Sequence, residues 1–139
     1  MDTPSIISVV GNFLKFVGEV VADLKRQDHA RLDLELLRLK RQMLAERLEE
    51  FNSNLEVAIQ REKACAEQSL ISRGLGNSTV RESSLRAIVR DAAAQSEKAH
   101  REYNRAIEEI ALLERKIQEQ MVPGWKKLLR VFGFYRRSR

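Results

Sequence analysis

Two long stretches of the chain carry apolar or small residues at alternating steps of four and three, on either side of one glycine-rich turn. A repeat that averages 3.5 residues is typical of helices that wind around each other. The turn, at residues 73–79, sends the second stretch back along the first. The pattern therefore predicts an all-α fold built on a long antiparallel coiled-coil helical hairpin. The repeat positions are Leu34, Leu37, Arg41, Leu44, Leu48, Phe51, Leu55, Ala58, Glu62 and Cys65, then Leu85, Val89, Ala92, Ser96, Ala99, Tyr103, Ala106, Ile110, Leu113 and Ile117.

The register of this hairpin follows from the sizes of the side chains. Folding the chain near Leu75 sets Leu44 opposite Ala106 and Phe51 opposite Ala99. Large residues that face small ones keep the packing dense, which favours this register over a shifted one.

Two charged residues interrupt the apolar repeat. Arg41 and Glu62 either extend their charges to water beside the seam or specify register and partner choice. Ion pairs beside the seam are expected between Arg41 and one acid of the second helix, and between Glu62 and one of its arginines. The candidates are Glu108, Glu109 and Glu114 for Arg41, and Arg86 and Arg90 for Glu62.

The N-terminal residues predict a separate amphipathic helix with a wide apolar face. Its polar residues form only a narrow stripe, which is insufficient for a lone helix in water. The apolar face either packs back on the hairpin to give a three-helix bundle, pairs with another copy, or enters a membrane. The residues predicted for oligomerisation or insertion are Ile6, Val10, Phe13, Val17 and Val20.

Helix signals divide the chain into three segments. Thr3-Pro4 is typical of a helix start, and Thr79 with Glu82 matches a capping box that opens the last long helix. Pro123-Gly124 ends that helix. The predicted segments are the N-terminal helix at 1–28, the hairpin at 29–122 and a tail at 123–139.

The tail predicts a short basic amphipathic helix. Its aromatic and leucine side chains share one helical face, and basic residues flank that face and close the chain. Such a helix suits an anionic lipid surface or the groove of a protein partner, or it covers the open end of the hairpin. The binding residues predicted here are Trp125, Lys126, Lys127, Leu128, Leu129, Arg130, Phe132, Phe134, Tyr135, Arg136 and Arg137.

Composition and charge narrow the classes of function. The net charge is +5, and residues 124–139 hold six basic residues and no acidic one. Electrostatic attraction is therefore expected from the tail, where a continuous apolar face makes nucleic acid a weaker fit than lipid or protein. The one cysteine, Cys65, is expected in the seam, and a single thiol suits a reducing compartment.

The sequence contains no pattern typical of catalysis. No histidine and carboxylate spacing suggests a metal site, and no serine or cysteine has an evident base, so we expect neither an enzyme nor a cofactor. At the turn, glycines are what a tight reversal requires. Arg73 and Leu75 are the residues there predicted to contact a partner.

The layout of an amphipathic N-terminal helix followed by a long helical hairpin resembles membrane-remodelling filament proteins of the ESCRT-III and phage-shock type. The resemblance is of layout and assigns no residue a role. The first hypothesis is a non-enzymatic, self-associating helical scaffold that binds an anionic membrane surface through its ends. The alternative is a soluble adaptor or assembly subunit that docks on a protein. Neither a signal peptide nor a spanning segment is predicted, so we expect a cytoplasmic protein, peripheral on the inner face of a membrane where it binds lipid.

Overall fold

The structure is all-helical, as the repeats predict. A computed structural model describes residues 5–26, 33–76 and 79–121. Within these ranges the chain forms three helices and no strand: α1 (Ile6–Arg26), α2 (Leu34–Ser72) and α3 (Thr79–Met121). At about 1.5 Å per residue, α2 is about 58 Å long and α1 about 32 Å long. The tail predicted as a basic helix lies outside the described residues.

A serine caps the N-terminal end of α1. The helix begins at Ile6, and Ser5 acts as its N-terminal cap because the backbone N–H of Ser8 donates to Ser5 Oγ over 3.2 Å. Serine is among the preferred capping residues. The predicted start at Thr3-Pro4 lies outside the described residues.

The start of α2 is later than predicted. The sequence analysis placed it at residue 29, whereas α2 begins at Leu34 behind Asp33. The Leu36 N–H donates to Asp33 Oδ1 over 2.6 Å, and Asp33 has an extended backbone at φ −121° and ψ 167°. Asp33 is therefore a helix cap, a signal that the sequence analysis missed because the lapse in the apolar pattern fell earlier.

One continuous core joins the three helices. α2 and α3 run antiparallel, and α1 lies along both of them. No polar or charged residue among those described is buried. The buried side chains of α2 and α3 include both members of four pairs of the predicted register, which are Leu37 and Leu113, Leu44 and Ala106, Phe51 and Ala99, and Ala58 and Ala92.

Toward the turn, the buried positions leave the predicted repeat. Cys65 and Val89 are exposed, although the repeat placed both in the seam. Leu70 is buried instead, and Ile88 packs at the edge of the core. The expectation that Cys65 lies in the seam is therefore wrong.

Candidate functional site

The apolar face of α1 packs on the hairpin. All five residues predicted for insertion or oligomerisation are buried, with 2–6% of their surface exposed. The Phe13 ring stacks on Phe51 with centroids 4.6 Å apart and planes 26° apart, and the His100 ring meets Phe51 edge-on at 6.1 Å. In this state the apolar face of α1 is therefore already occupied, and insertion through it would require α1 to leave the hairpin.

Polar contacts fix α1 at both of its ends. At the N-terminal end, the Ile6 N–H donates to Glu62 Oε1 over 3.2 Å. A carboxylate is favourable there because the unpaired N–H groups of a helix start carry partial positive charge. At the C-terminal end, Lys40 Nζ lies 3.1 Å from Asp23 Oδ2. These contacts hold α1 antiparallel to α2.

Glu62 therefore has a different partner from the arginines that the sequence analysis named. It binds the start of α1, while Arg86 lies 3.8 Å from Glu82 on its own helix. The repeat marked Glu62 as an exception in the seam, but the identity of its partner depends on α1 folding back. Arg41 does pair with one of its predicted acids, because Arg41 Nη2 lies 2.9 Å from Glu114 Oε1.

An arginine–aromatic contact adds to the α1–α2 interface. The Arg47 guanidinium lies over the Phe16 ring, 4.6 Å from its centroid. Such cation–π contacts contribute roughly 0.5–1 kcal/mol at exposed sites. Arg47 also lies 3.9 Å from Glu50, so the charge is shared between a ring and a carboxylate. This interface therefore has an apolar centre with charged edges.

The turn after α2 is a Schellman motif that uses Leu75. The Leu75 N–H donates to the Leu70 oxygen over 2.8 Å, and the Gly74 N–H donates to the Ile71 oxygen over 3.0 Å. Gly74 has a φ of +76°, the left-handed conformation that this motif requires. The motif uses the backbone N–H of Leu75, a donor that any residue except proline supplies. Its side chain is 37% exposed, and Arg73 is also exposed.

An arginine on α3 braces the same turn. The Arg81 side chain donates to Glu67 Oε1, with Nε 3.1 Å from that oxygen, and Nη1 lies 3.4 Å from the Gly76 oxygen. One side chain therefore ties the end of α2, the turn and the start of α3 together. The predicted partner contact at Arg73 and Leu75 stays a prediction.

Grooves lie along both sides of α1 in the described part of the chain. The groove between α1 and α2 has a volume of about 380 Å³ and includes Phe16, Asp23, Lys40 and Met43 in its lining. The groove between α1 and α3, about 450 Å³, has an apolar floor at Leu14, Val17, Gly18 and Val21. Acidic and basic side chains alternate along its wall, which are Lys98, Glu102, Arg105 and Glu109.

The described residues offer little for catalysis or metal binding. No group of three or more histidine, cysteine, aspartate or glutamate side chains lies together among them. His100 Nδ1 lies 2.8 Å from the Ser96 backbone oxygen and 3.3 Å from Ser96 Oγ, so the ring bonds within its own helix.

The predicted binding residues of the tail, from Trp125 to Arg137, lie outside the described residues. Their part in lipid or partner binding stays a prediction. Of the helices that the structure describes, none is both long and apolar enough to cross a membrane. The chain matches no family model, and no curated protein or solved structure shows significant similarity to it.

Proposed function

We propose that this protein is a non-enzymatic helical scaffold that associates with itself and binds an anionic membrane surface through its basic aromatic tail. The observation that carries the proposal is the uneven distribution of charge along the chain. The described ranges contain equal numbers of basic and acidic side chains, and residues 122–139 add six basic residues without an acid. Cations next to aromatic rings on one helical face suit the boundary between lipid headgroups and acyl chains.

The burial of α1 supports the tail as the segment that binds lipid. The α1 face carries the other amphipathic signal of the sequence, yet its apolar residues pack on the hairpin. The tail then holds the aromatic and basic surface that the helical body does not use. The sequence left both amphipathic segments as candidates for lipid binding. We propose that the tail binds lipid and that α1 packs against other helices.

Vesicle co-sedimentation tests the tail. Lys126, Lys127, Arg130, Arg136 and Arg137 are changed to glutamate, and binding to phosphatidylserine-containing vesicles is compared with binding to phosphatidylcholine vesicles. Since each basic residue near an anionic surface contributes about 1 kcal/mol, binding should fall by at least about tenfold. A control variant with the same change in net charge reverses five exposed body charges and should lose much less binding than the tail variant. These are Lys15, Arg38, Arg90, Arg101 and Arg115.

The alternative proposal is a soluble adaptor that docks on a protein partner. It is favoured by Leu39 and Met43, which lie one turn apart on α2 and remain 52% and 37% exposed. Met43 also lines the groove between α1 and α2. An adaptor forms a complex of defined stoichiometry that Leu39→Asp abolishes, and it does not sediment with either kind of vesicle.

A further inference from the structure

The contacts between α1 and α2 have the register of an unbroken antiparallel pair. Ile6 meets Glu62, Phe13 meets Phe51, and Asp23 meets Lys40. Residue numbers therefore rise along α1 while those of the partners on α2 fall. The two residues of each pair lie at about equal distances in sequence from the segment that joins the two helices. The same contacts would therefore form if α1 came from another copy of the chain, with a two-fold axis at that segment.

Little in the sequence prevents α1 and α2 from forming one helix. Residues 19–73 contain neither proline nor glycine, the residues that most often end helices. Among the described residues, the break depends on Asp33. Its side chain accepts the Leu36 N–H over 2.6 Å, and its extended backbone turns the chain away from the helix axis. Within a continuous helix this side-chain cap would be lost.

We infer that the protein has a second, open state in which α1 lies in line with α2, away from its own hairpin, and packs on the hairpin of a second copy. Two such chains exchange α1 reciprocally and form a symmetric dimer. Because each contact of α1 is remade between copies, the exchange sacrifices no buried apolar surface. The inference rests on the proposed function in one respect, since it names the route of self-association, and it requires no lipid.

The geometry of the open state follows from the closed one. In the dimer the two chains run antiparallel, and each hairpin receives the partner's α1 where its own lies now. Ile6 of one protomer then donates to Glu62 of its partner, and Phe13 stacks on the partner's Phe51. Asp33 is the described residue that chooses between the two states.

Removing the cap should favour the dimer. Asp33→Ala weakens the closed state, and loss of a capping side chain typically changes an equilibrium about fivefold. Two caps are lost per dimer, so the dissociation constant should fall about twenty-five-fold, measured by light scattering across a concentration series. Asp91→Ala, an exposed aspartate within α3, is the matched control and should leave the mass of the protein unchanged.

A proline at the first residue of α2 should have the opposite effect. Leu34→Pro fits the closed state, because proline is favoured at the first helical position and Asp33 already has the backbone of a residue before proline. In the open state the same proline lies inside a helix, which disfavours that state by more than about a hundredfold. The double variant with Asp33→Ala should therefore return to the mass of one chain. Leu34→Ala controls for the lost side chain.

Cross-linking shows whether a dimer exchanges α1. Asp23→Cys and Lys40→Cys are introduced together with Cys65→Ser, and a bifunctional thiol reagent is applied. The closed state joins the two cysteines within one chain, whereas the open state joins two chains on a denaturing gel. Asp33→Ala should increase the linkage between chains, and Leu34→Pro should abolish it. Circular dichroism checks that each variant remains helical.

Two results would overturn the inference. One is an Asp33→Ala protein with no more linkage between chains than the Leu34→Pro protein. The other is a dimer whose cysteines link only within each chain, which would mean association through another face. Neither result depends on vesicles, and Leu34→Pro leaves the tail intact. Failure of the exchange is therefore distinguishable from failure of lipid binding.

Discussion

At the scale of single residues, the α1 interface concentrates on an aromatic stack. Phe13 is 5% exposed and its ring lies against Phe51, while Ile7, on the opposite face of the same helix, is 78% exposed. Both are large apolar residues of α1, so composition alone does not separate them. Their different surroundings give them different energetic roles.

The first prediction concerns this stack. Phe13→Ala should lower the free energy of unfolding by about 3–5 kcal/mol, because it removes a buried ring and leaves a cavity. Ile7→Ala should change it by less than about 0.5 kcal/mol. Urea denaturation followed by circular dichroism measures both, and equal effects would mean that α1 does not pack through Phe13.

The second prediction concerns two glycines with opposite roles. An alanine methyl at Gly11 would meet no atom within 4 Å, so Gly11→Ala should stabilise the protein by about 1 kcal/mol through helix propensity. Gly74 also has open space, but its φ of +76° strains any other residue. Gly74→Ala should therefore destabilise by about 1 kcal/mol. Thermal unfolding of both variants decides whether backbone conformation accounts for the difference.

At the scale of elements, α1 is the helix whose position the sequence left open. Its apolar face fits lipid, another copy or its own hairpin, because each offers an apolar surface to a helix of this pattern. In the structure α1 lies on the hairpin. Glu62 contacts its first residue, and Lys40 contacts Asp23 near its C-terminal end. Long-range contacts of this kind carry no signal in a local repeat.

The third prediction tests α1 as a docked element. Val17 is 2% exposed, so Val17→Asp places an unpaired charge in the core and should cost several kcal/mol, about 3–5. Hydrogen exchange of residues 6–26 should then accelerate strongly. Lys15→Asp introduces the same carboxylate at an exposed position two residues away and should leave the exchange nearly unchanged. Continued protection of α1 in the Val17→Asp protein would contradict its docking on the core.

At the scale of the whole molecule, charge and apolar surface are separated along the chain. The helical body has balanced charge, and the basic excess lies after α3. A body without net charge contributes little long-range attraction to an anionic surface. Lipid binding should therefore depend on a short segment, and its dependence on salt should reflect only the tail.

The fourth prediction follows from that separation. Raising the ionic strength from 0.1 to 1 M shortens the screening length from about 10 to about 3 Å, so binding to anionic vesicles should weaken at least about tenfold. The mass measured without vesicles should stay the same, because the α1 interface is mainly apolar. Salt-independent vesicle binding would indicate insertion of an apolar face and would count against an electrostatic tail.

The sequence by itself determined the all-helical class, the turn and most of the buried positions of the hairpin. The spacing of Leu37, Leu44, Phe51 and their counterparts on α3 encodes these features locally, since a helix presents every third and fourth residue on one face. The pairing of Arg41 with an acid of α3 also followed from the register alone.

Tertiary structure alone decided where α1 lies, which partner Glu62 has and where the repeat loses its phase. Each of these depends on residues that are distant in sequence. The Asp33 cap is an intermediate case. Its residue type is a local signal. The chain reversal that it permits stabilises the fold only because the hairpin offers α1 an apolar surface.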